Sequence, residues 1–130
     1  YCIRMFTPQK QTYGMGREFL TASSTTIKKG DALKISAGYV DKAGATDTAV
    51  FAVAEQSVTT GAGVHEPILV TILSPEMEFL VDTKTQGTQS QVGTKVKLNN
   101  ENSIDPAQAT GGVFTILHVL PNKKAIGRFY

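Results

Sequence analysis

The clearest pattern of hydrophobic and polar positions lies near the middle of the chain, in residues 67–82. Residues 68–73 form the densest aliphatic and β-branched run, which predicts a strand covered on both faces. A turn is predicted at Ser74-Pro75-Glu76, because proline at the second turn position already has the required φ. The next run alternates and places three apolar side chains on one face: Met77, Phe79 and Val81. The pattern predicts a hairpin-like pair of strands at the rigid centre of the fold.

Short runs with strand character continue along the rest of the chain. Residues 32–37 alternate, which predicts that Leu33, Ile35 and Ala37 point inward. Further strands are predicted from aliphatic content or alternation at residues 49–54, 95–98, 113–119 and 125–130. No helical period is sustained over three turns, although residues 83–91 could hold one helical turn. Roughly eight or nine short strands of this kind predict an all-β, single-domain fold, built as a partly closed β-barrel.

The N-terminal stretch, residues 1–23, keeps no regular period and is predicted to be an irregular arm outside the β-domain of residues 24–130. A proline and two glycines interrupt it. It is too apolar for a free tail, so we expect it to order along a neighbouring subunit. The alternative is a loosely packed first strand around residues 17–21. The candidate contact residues of the arm are its large apolar side chains: Ile3, Met5, Phe6, Tyr13, Met15, Phe19 and Leu20.

Composition and charge limit the classes of binding partner that the sequence predicts. The 130 residues carry a formal net charge of +2, with lysines and arginines scattered along the chain. This favours neither direct nucleic-acid binding nor attachment to an anionic membrane. No run reaches the ~18–20 apolar residues of a membrane span, and no signal-peptide core opens the chain. The single cysteine, Cys2, cannot form an internal disulfide, which is consistent with folding in a reducing cytosol.

Residues that could support catalysis or metal binding are few and scattered. The only histidines are His65, in a glycine-rich loop, and His118, in a predicted strand. Nucleophilic catalysis needs a base beside the nucleophile, and pairing Cys2 with a histidine would require the arm to fold back. Zinc needs three or four ligands at close spacing, a pattern that this sequence does not contain. The sequence therefore predicts no catalytic residue, no metal site and no cofactor.

Three patterns of charged residues are weaker indications of a catalytic, metal-binding or nucleic-acid-binding site. Glu76 and Glu78 share one predicted strand face, as a glycosidase carboxylate pair would, but no aromatic platform accompanies them. The loop at residues 41–47 contains two aspartates without the dense Asp/Asn alternation of a calcium loop. Lys95 and Lys97 share a strand face without the aromatic partners typical of nucleic-acid-binding barrels. The simpler interpretation of all three is an ordinary solvated surface.

Several short sequence words stand in a characteristic order within residues 24–130. They are TIKKGDAL at 26–33, GYV at 38–40, FAVAEQS at 51–57, PILVTIL at 67–73, FLVD at 79–82, QVGTKVKL at 91–98 and AIGRF at 125–129. Their order and spacing resemble those of the small capsid decoration (cement) proteins of tailed bacteriophages. The resemblance does not extend to the residues before Ser24, so it implies no role for the arm.

The resemblance implies a β-tulip or β-barrel-like domain on the outside of a phage head. It implies binding at junctions between major capsid protein subunits and stabilisation of the expanded shell, without a catalytic centre. It also implies a homo-oligomer, with a trimer favoured, on the virion surface and, during assembly, in the host cytoplasm. Exposed loops at residues 41–48 and 59–66 are further candidates for capsid or inter-subunit contact.

Two other classes of function stay open. A carbohydrate- or ligand-binding β-module of a virion fibre or adhesion protein would suit a small β-domain, although the chain has no tryptophan to stack on sugars. A small hydrolase is supported only by the scattered carboxylates.

Overall fold

The computed structural model describes residues 16–130, and short strands account for nearly all of their regular structure. This part of the chain contains no α-helix, so the predicted all-β fold is confirmed. A 3-10 helix, Gln89–Gln91, occupies the polar stretch in which one helical turn is predicted. The twelve strands of residues 16–130 are β1 Gly16–Leu20, β2 Thr26–Ile27, β3 Ala32–Ser36, β4 Tyr39–Lys42, β5 Ala52–Ala54, β6 Val58–Thr59, β7 Pro67–Ile72, β8 Phe79–Thr83, β9 Lys95–Asn100, β10 Ser103–Asp105, β11 Phe114–Leu120 and β12 Lys124–Arg128.

The last five strands close into a barrel with the ring order β10-β8-β12-β11-β9. Neighbours are antiparallel except for β8 and β10, which run parallel. Alternation decides which side chains face the interior. In β9 Val96 and Leu98 are buried while Lys95 is exposed, and in β8 Leu80 is exposed while Val81 packs against the core. The predicted barrel is therefore present, and its ring is complete.

The first half of the chain forms a five-stranded antiparallel sheet in the order β1-β7-β5-β3-β4. Alternate positions of its inner strands are apolar and buried: Leu33, Ala52, Ala54, Ile68 and Val70. Strands β2 and β6 form a separate two-stranded ladder. A parallel bridge between Thr21 and Val40 joins the end of β1 to β4, the opposite edge strand. We call this contact the seam.

The interior holds two hydrophobic clusters, one inside the barrel and one on the sheet. Phe114 is fully buried in the barrel cluster, where Phe129 packs edge-to-face on it at a centroid distance of 5.0 Å. In the sheet cluster Phe19 packs edge-to-face on Phe51 at 5.2 Å. Ala32 begins the sheet strand β3, yet it belongs to the barrel cluster. The two halves therefore pack directly against each other.

Gly16–Leu20, which falls within the predicted arm, forms strand β1 and pairs with β7 along its whole length. The alternative prediction, a first strand around residues 17–21, is thus confirmed. Side chains alternate along this strand, so Phe19 packs against the sheet cluster while Leu20 is exposed. The remainder of the arm, residues 1–15, lies outside the described residues.

The predicted pairing of the central segment is wrong. Pro67–Ile72 is the sheet strand β7, whereas Phe79–Thr83 is the barrel strand β8, so the two do not form a hairpin. The turn between them agrees with the prediction, because the Met77 amide donates a hydrogen bond to the Ser74 carbonyl at 3.2 Å. Local alternation identifies both strands, but it carries no information about the sheet to which each belongs.

Two further predictions are wrong in detail. Leu33 is buried as predicted, but Ile35 is 44% exposed and Ala37 lies in a turn. Ala37 and the glycine after it have φ values of 51° and 87°, typical of the central pair of a type I′ hairpin, so β3 continues beyond the core before it turns. The strand predicted at residues 49–54 is only Ala52–Ala54, the three residues with which β7 pairs.

Candidate interaction surface

Backbone and side-chain hydrogen bonds hold the seam together. The Ala22 amide donates to the Val40 carbonyl at 2.9 Å, and the Thr21 amide donates to the Glu66 carbonyl at 2.9 Å. The Glu66 amide in turn donates to Thr21 Oγ1 at 3.1 Å. Thr21 is fully buried, so its hydroxyl provides a partner for that amide within the fold. A backbone bond therefore joins the edges β1 and β4, while the Thr21 hydroxyl fixes the end of β1 to the residue before β7.

An aromatic pair lies next to the seam. The rings of Tyr39 and His65 are stacked, with centroids 3.9 Å apart and an interplanar angle of 12°. His65 Nδ1 is 2.8 Å from the Thr21 carbonyl oxygen. Because a carbonyl only accepts hydrogen bonds, Nδ1 carries the hydrogen, and the neutral ring has its lone pair on Nε2. These contacts attach the loop that carries His65 to the seam.

Exposed apolar residues adjoin the seam and the loop that carries this pair. We give the name seam patch to the pair and these neighbours together: Leu20, Tyr39, Val64, His65 and Pro67, of which only Tyr39 is half-buried. Leu20 is 48% exposed, and its Cα partner on the neighbouring strand is Pro67. Single exposed apolar residues are common, whereas a continuous apolar group with aromatic members is typical of an interaction surface. The seam patch is therefore the first candidate surface.

The predicted contact residues of the arm fall into two groups. Phe19 packs in the sheet cluster, and Leu20 belongs to the seam patch. The other five lie outside the described residues: Ile3, Met5, Phe6, Tyr13 and Met15. The loop at residues 59–66, a lesser candidate from the sequence, contributes Val64 and His65 to the seam patch.

A groove of about 320 Å³ lies where the sheet meets the barrel, and we call it the junction groove. Ala32 and Val53 line it on the sheet side, and Leu80 lines it on the barrel side. Leu80 is 63% exposed, the largest value among the large apolar side chains of residues 16–130. At the rim, Lys124 Nζ is paired with Asp82 Oδ1 at 2.6 Å. The junction groove is the second candidate surface.

Two carboxylates lie at the sheet side of the junction groove. Glu101 lines it, and Asp31 lies between the lining residues Gly30 and Ala32. Asp31 is only 4% exposed and accepts a hydrogen bond from the Lys28 amide at 2.9 Å. Burial raises the pKa of Asp31 above its ordinary value of 3.8; the Lys28 amide opposes this rise, and the negative charge of Glu101 adds to it. The positive charges of two lysines, Lys28 among them, also oppose the rise, so these carboxylates already have cations near them.

Residues considered for catalysis lie in different parts of the fold. His65 lies beside the seam, whereas His118 is on the barrel strand β11. Cys2 is outside the described residues. Glu76 and Glu78 are exposed and precede β8, so the predicted strand face that they share is wrong. The described residues therefore do not bring these groups into one cleft.

The aspartates of the loop considered for calcium make contacts within the protein. Asp41 Oδ1 accepts a hydrogen bond from the Thr25 hydroxyl at 2.6 Å, and Asp47 is paired with Lys34 at 3.3 Å. Across residues 16–130, no three His, Cys, Asp or Glu side chains form a group that could hold a metal ion. The same part of the chain has no helix that is both long and apolar enough to cross a membrane.

Fold and surfaces together define a class of protein: a small all-β protein in which a closed barrel is packed against a sheet that carries an exposed apolar patch. A scan of protein-family models and a search of curated proteins found no match to this chain.

The junction groove was not predicted from the sequence. Its walls contain Ala32, Val53 and Leu80, which are far apart along the chain and look like ordinary strand positions. One signal could have found it: Leu80 is an apolar residue on the polar face of an alternating run. The seam patch was found only in part, through Leu20 and the loop at residues 59–66.

Proposed function

We propose that the chain is a capsid decoration (cement) protein of a tailed bacteriophage. It binds the outer surface of the head at junctions between major capsid protein subunits and stabilises the expanded shell. It acts as a homo-oligomer, with a trimer as the favoured state, on the virion surface and, during assembly, in the host cytoplasm. The sequence words of residues 24–130 and the all-β barrel architecture support this role.

The single observation that carries the proposal is the seam patch. Leu20 and Val64 expose 48% and 43% of their surface beside a stacked aromatic pair. Polar residues flank the patch, since Glu18 and Glu66 are exposed. An apolar centre with a polar rim is the usual composition of a protein–protein interface. The patch suits contact with another protein surface better than it suits a reaction.

A modest patch is sufficient for a protein that binds a repetitive surface. Covering a leucine side chain that is half exposed contributes about 1 kcal/mol, roughly half the value for a fully exposed one. When several linked copies meet several equivalent sites, the second contact becomes intramolecular and the overall affinity rises steeply. Stabilisation of the shell follows because a bound copy must be released before its neighbouring capsid subunits can separate.

Co-sedimentation with purified expanded heads tests the proposal. We expect the wild-type protein to bind, and Leu20→Asp to weaken binding at least about tenfold, since an aspartate loses the leucine contribution and resists desolvation. Ile35→Asp is the matched control, because Ile35 is 44% exposed but lies outside the seam patch. Equal binding by both variants would contradict the role of the patch. Wild-type binding to a glycan array but not to heads would favour the carbohydrate-binding alternative.

A deletion tests the contact role predicted for the arm. Removing residues 1–15 leaves β1 intact, whereas a longer deletion would remove Phe19 from the sheet cluster and Thr21 from the seam. We expect lower occupancy on expanded heads and a lower temperature of head disruption. Unchanged occupancy and unchanged head stability would contradict a contact role for the apolar residues of that segment.

A further inference from the structure

Strand β8 has one unpaired backbone position beside the junction groove. Just after the strand, the Lys84 amide donates to the Ile104 carbonyl at 2.8 Å. The alternate residues before it, Asp82 and Leu80, therefore direct their amide and carbonyl groups toward the β10 side and away from β12. The ladder between β8 and β10 begins only at Asp82. Among the described strands, none pairs with the amide and carbonyl that Leu80 directs to that side.

The unpaired stretch of β8 lacks the protection that edge strands usually have. Charged side chains within an edge strand discourage the addition of another strand. Strand β1, which among the described strands pairs only with β7, carries Arg17 and Glu18 at its centre, and both are exposed. Residues 79–81 of β8 are all apolar, and Leu80 among them is 63% exposed. No charge within this stretch therefore opposes the approach of another strand.

The groove beside Leu80 has apolar walls that suit the side chains of an added strand. Ala32 and Val53 line it from the sheet, and Leu98 and Phe129 line it from the barrel. A strand beside Leu80 would form hydrogen bonds with its amide and its carbonyl and would bury alternate side chains. The volume of about 320 Å³ is at the small end of the range for ligand pockets, which suits a segment of a few residues.

The charges around the groove are balanced. Three carboxylates and three lysines line the groove or act electrostatically on its sheet side: Asp31, Asp82, Glu101, Lys28, Lys42 and Lys124. Asp82 and Lys124 form an ion pair at 2.6 Å. Burial raises the pKa of Asp31, whereas the positive charges of Lys28 and Lys42 lower it and so offset the carboxylates of the sheet side. Because burying an unmatched charge is costly, the groove favours an occupant without charged side chains.

A second copy of β8 does not suit this position. A twofold axis at Leu80 would require room on both sides of that residue, and the place beside Asp82 is already taken by Ser103 of β10. An axis at Phe79 would place Glu78 of each copy opposite Leu80 of the other, which brings a carboxylate into the groove. The occupant is therefore a different segment, which lies toward Phe79 and ends or turns away where β10 begins.

We propose that the junction groove binds an extended, uncharged segment of another protein, which adds as a short strand beside Leu80. The segment exchanges backbone hydrogen bonds with Leu80 and places alternate side chains against the apolar walls. It enters from the side of Phe79 and ends or turns away at Asp82. The junction groove shares no residue with the seam patch, so this inference stands whether or not the chain binds a capsid.

Titration of the full chain with a short peptide tests the proposal. The probe alternates valine and threonine, has valine at its centre, and is acetylated and amidated so that it carries no charge. We expect the NMR signals of Leu80 and Val53 to shift with a dissociation constant of about 1 mM or lower, and the signal of Val64 in the seam patch to stay unchanged. Proline in place of the central valine removes a donor and should weaken binding about fivefold. Absence of a shift at Leu80 would overturn the proposal.

Two substitutions at Leu80 separate strand addition from simple apolar contact. Leu80→Ala removes the side chain and keeps the amide, whereas Leu80→Pro removes both, and neither loses a bond to β12 because this amide points away from that strand. We expect Leu80→Ala to weaken peptide binding about threefold to tenfold and Leu80→Pro to weaken it about fivefold further. Equal binding by the two variants would contradict strand addition. If Leu80→Pro does not fold, equal binding of the valine and proline peptides by the wild-type protein contradicts it in the same way.

Charged probes and dilution test the nature of the occupant. Lysine or glutamate in place of the central valine should weaken binding at least about tenfold in both cases, because the groove has no unmatched charge of either sign. Tighter binding of either charged peptide would rule out an uncharged occupant. A shift of the Leu80 signal on dilution of the protein alone would show that a second copy fills the groove and would overturn the proposal.

Discussion

The barrel and the sheet both have five strands, but they close in different ways. Every barrel strand is hydrogen-bonded to a neighbour on each side, so the ring is complete. The sheet brings its edges β1 and β4 together through one bridge, at Thr21 and Val40. That bridge is reinforced by the bond from the Ala22 amide to the Val40 carbonyl and by His65, which contacts the Thr21 carbonyl and stacks on Tyr39. Continuous backbone ladders close the barrel, whereas one bridge with a single stacked side chain beside it closes the sheet.

This difference suggests a division of roles, in which the barrel provides stability and the sheet provides the surface for recognition. A closed ring leaves little free edge, so the barrel is better protected against unwanted strand pairing than an open sheet is. The seam has few hydrogen bonds and lies partly in a loop, which places it among the regions that open at lower free energy. The exposed seam patch lies on this side of the molecule. Four substitutions, in order of decreasing effect, test how far the two halves differ.

The largest effect is expected from Phe114→Ala in the barrel cluster. Phe114 is fully buried and packs on Phe129, so removing the ring should lower the free energy of unfolding by about 3–5 kcal/mol. Phe51→Ala is the matched change in the sheet and should cost less, because Phe51 is only half-buried. Urea unfolding followed by circular dichroism measures both. Equal losses would show that the barrel cluster is no more important than the sheet cluster.

Gly127→Ala should have the next largest effect. Strand β12 packs so closely at Gly127 that a Cβ would overlap the Thr115 carbonyl and the Phe114 ring. Overpacking of this kind costs about 1–3 kcal/mol. Gly61→Ala is the control, since a Cβ at Gly61 meets nothing within 4 Å. A thermal midpoint for Gly127→Ala no lower than that of Gly61→Ala would contradict the close packing of the barrel.

Thr21→Val should weaken the seam without disturbing the barrel. The substitution keeps the shape of the side chain but removes the acceptor of the Glu66 amide, at a cost of about 1 kcal/mol. Hydrogen exchange should accelerate in β1 and β4 and stay unchanged in β8 to β12. Thr26→Val is the control, because Thr26 is exposed. A uniform acceleration across both halves would mean that they open as one unit.

The smallest effect is a pH dependence located at Asp31. Because burial raises its native pKa above 3.8, the native state holds a proton more tightly than the unfolded state does. This contribution to stability is complete below pH 3.8 and is lost as the pH rises through the native pKa. Asp31→Asn cannot ionise and keeps the Lys28 amide bond, so its advantage over wild type should grow across this window and then level off.

Urea midpoints measured across that pH range provide the check for Asp31→Asn. Glu78→Gln is the control, because Glu78 is exposed and its substitution should leave the pH profile unchanged. A constant difference between Asp31→Asn and wild type at all pH values would contradict a raised pKa for Asp31.

Local patterns in the sequence predicted most of the strands and little of their arrangement. Alternation at Lys95–Asn100 and Phe79–Thr83 marks strands because one face of each is buried. The same rule placed Ile35 inward, and it failed because β3 continues beyond the core before its turn. Periodicity reports which face would be buried only where a core is present to bury it.

The two candidate surfaces depend on contacts between distant parts of the sequence. The seam patch needs Leu20, Tyr39 and Pro67 to meet, and the junction groove needs Val53 to lie opposite Leu80. These contacts form because the chain leaves the sheet after β7 and enters the barrel at β8. No residue of the turn between them indicates that crossing, so the sequence predicted a hairpin instead.

Strand β12 has a consequence for the synthesis of the protein. It is the last of the strands described in residues 16–130, yet it lies between β8 and β11 in the ring. The sheet has all five of its strands once Ile72 has left the ribosome, but the barrel stays open until residues 124–128 have emerged. A nascent chain therefore passes through a stage in which β8 and β11 still have unpaired edges, and at this stage it can pair wrongly with other nascent chains.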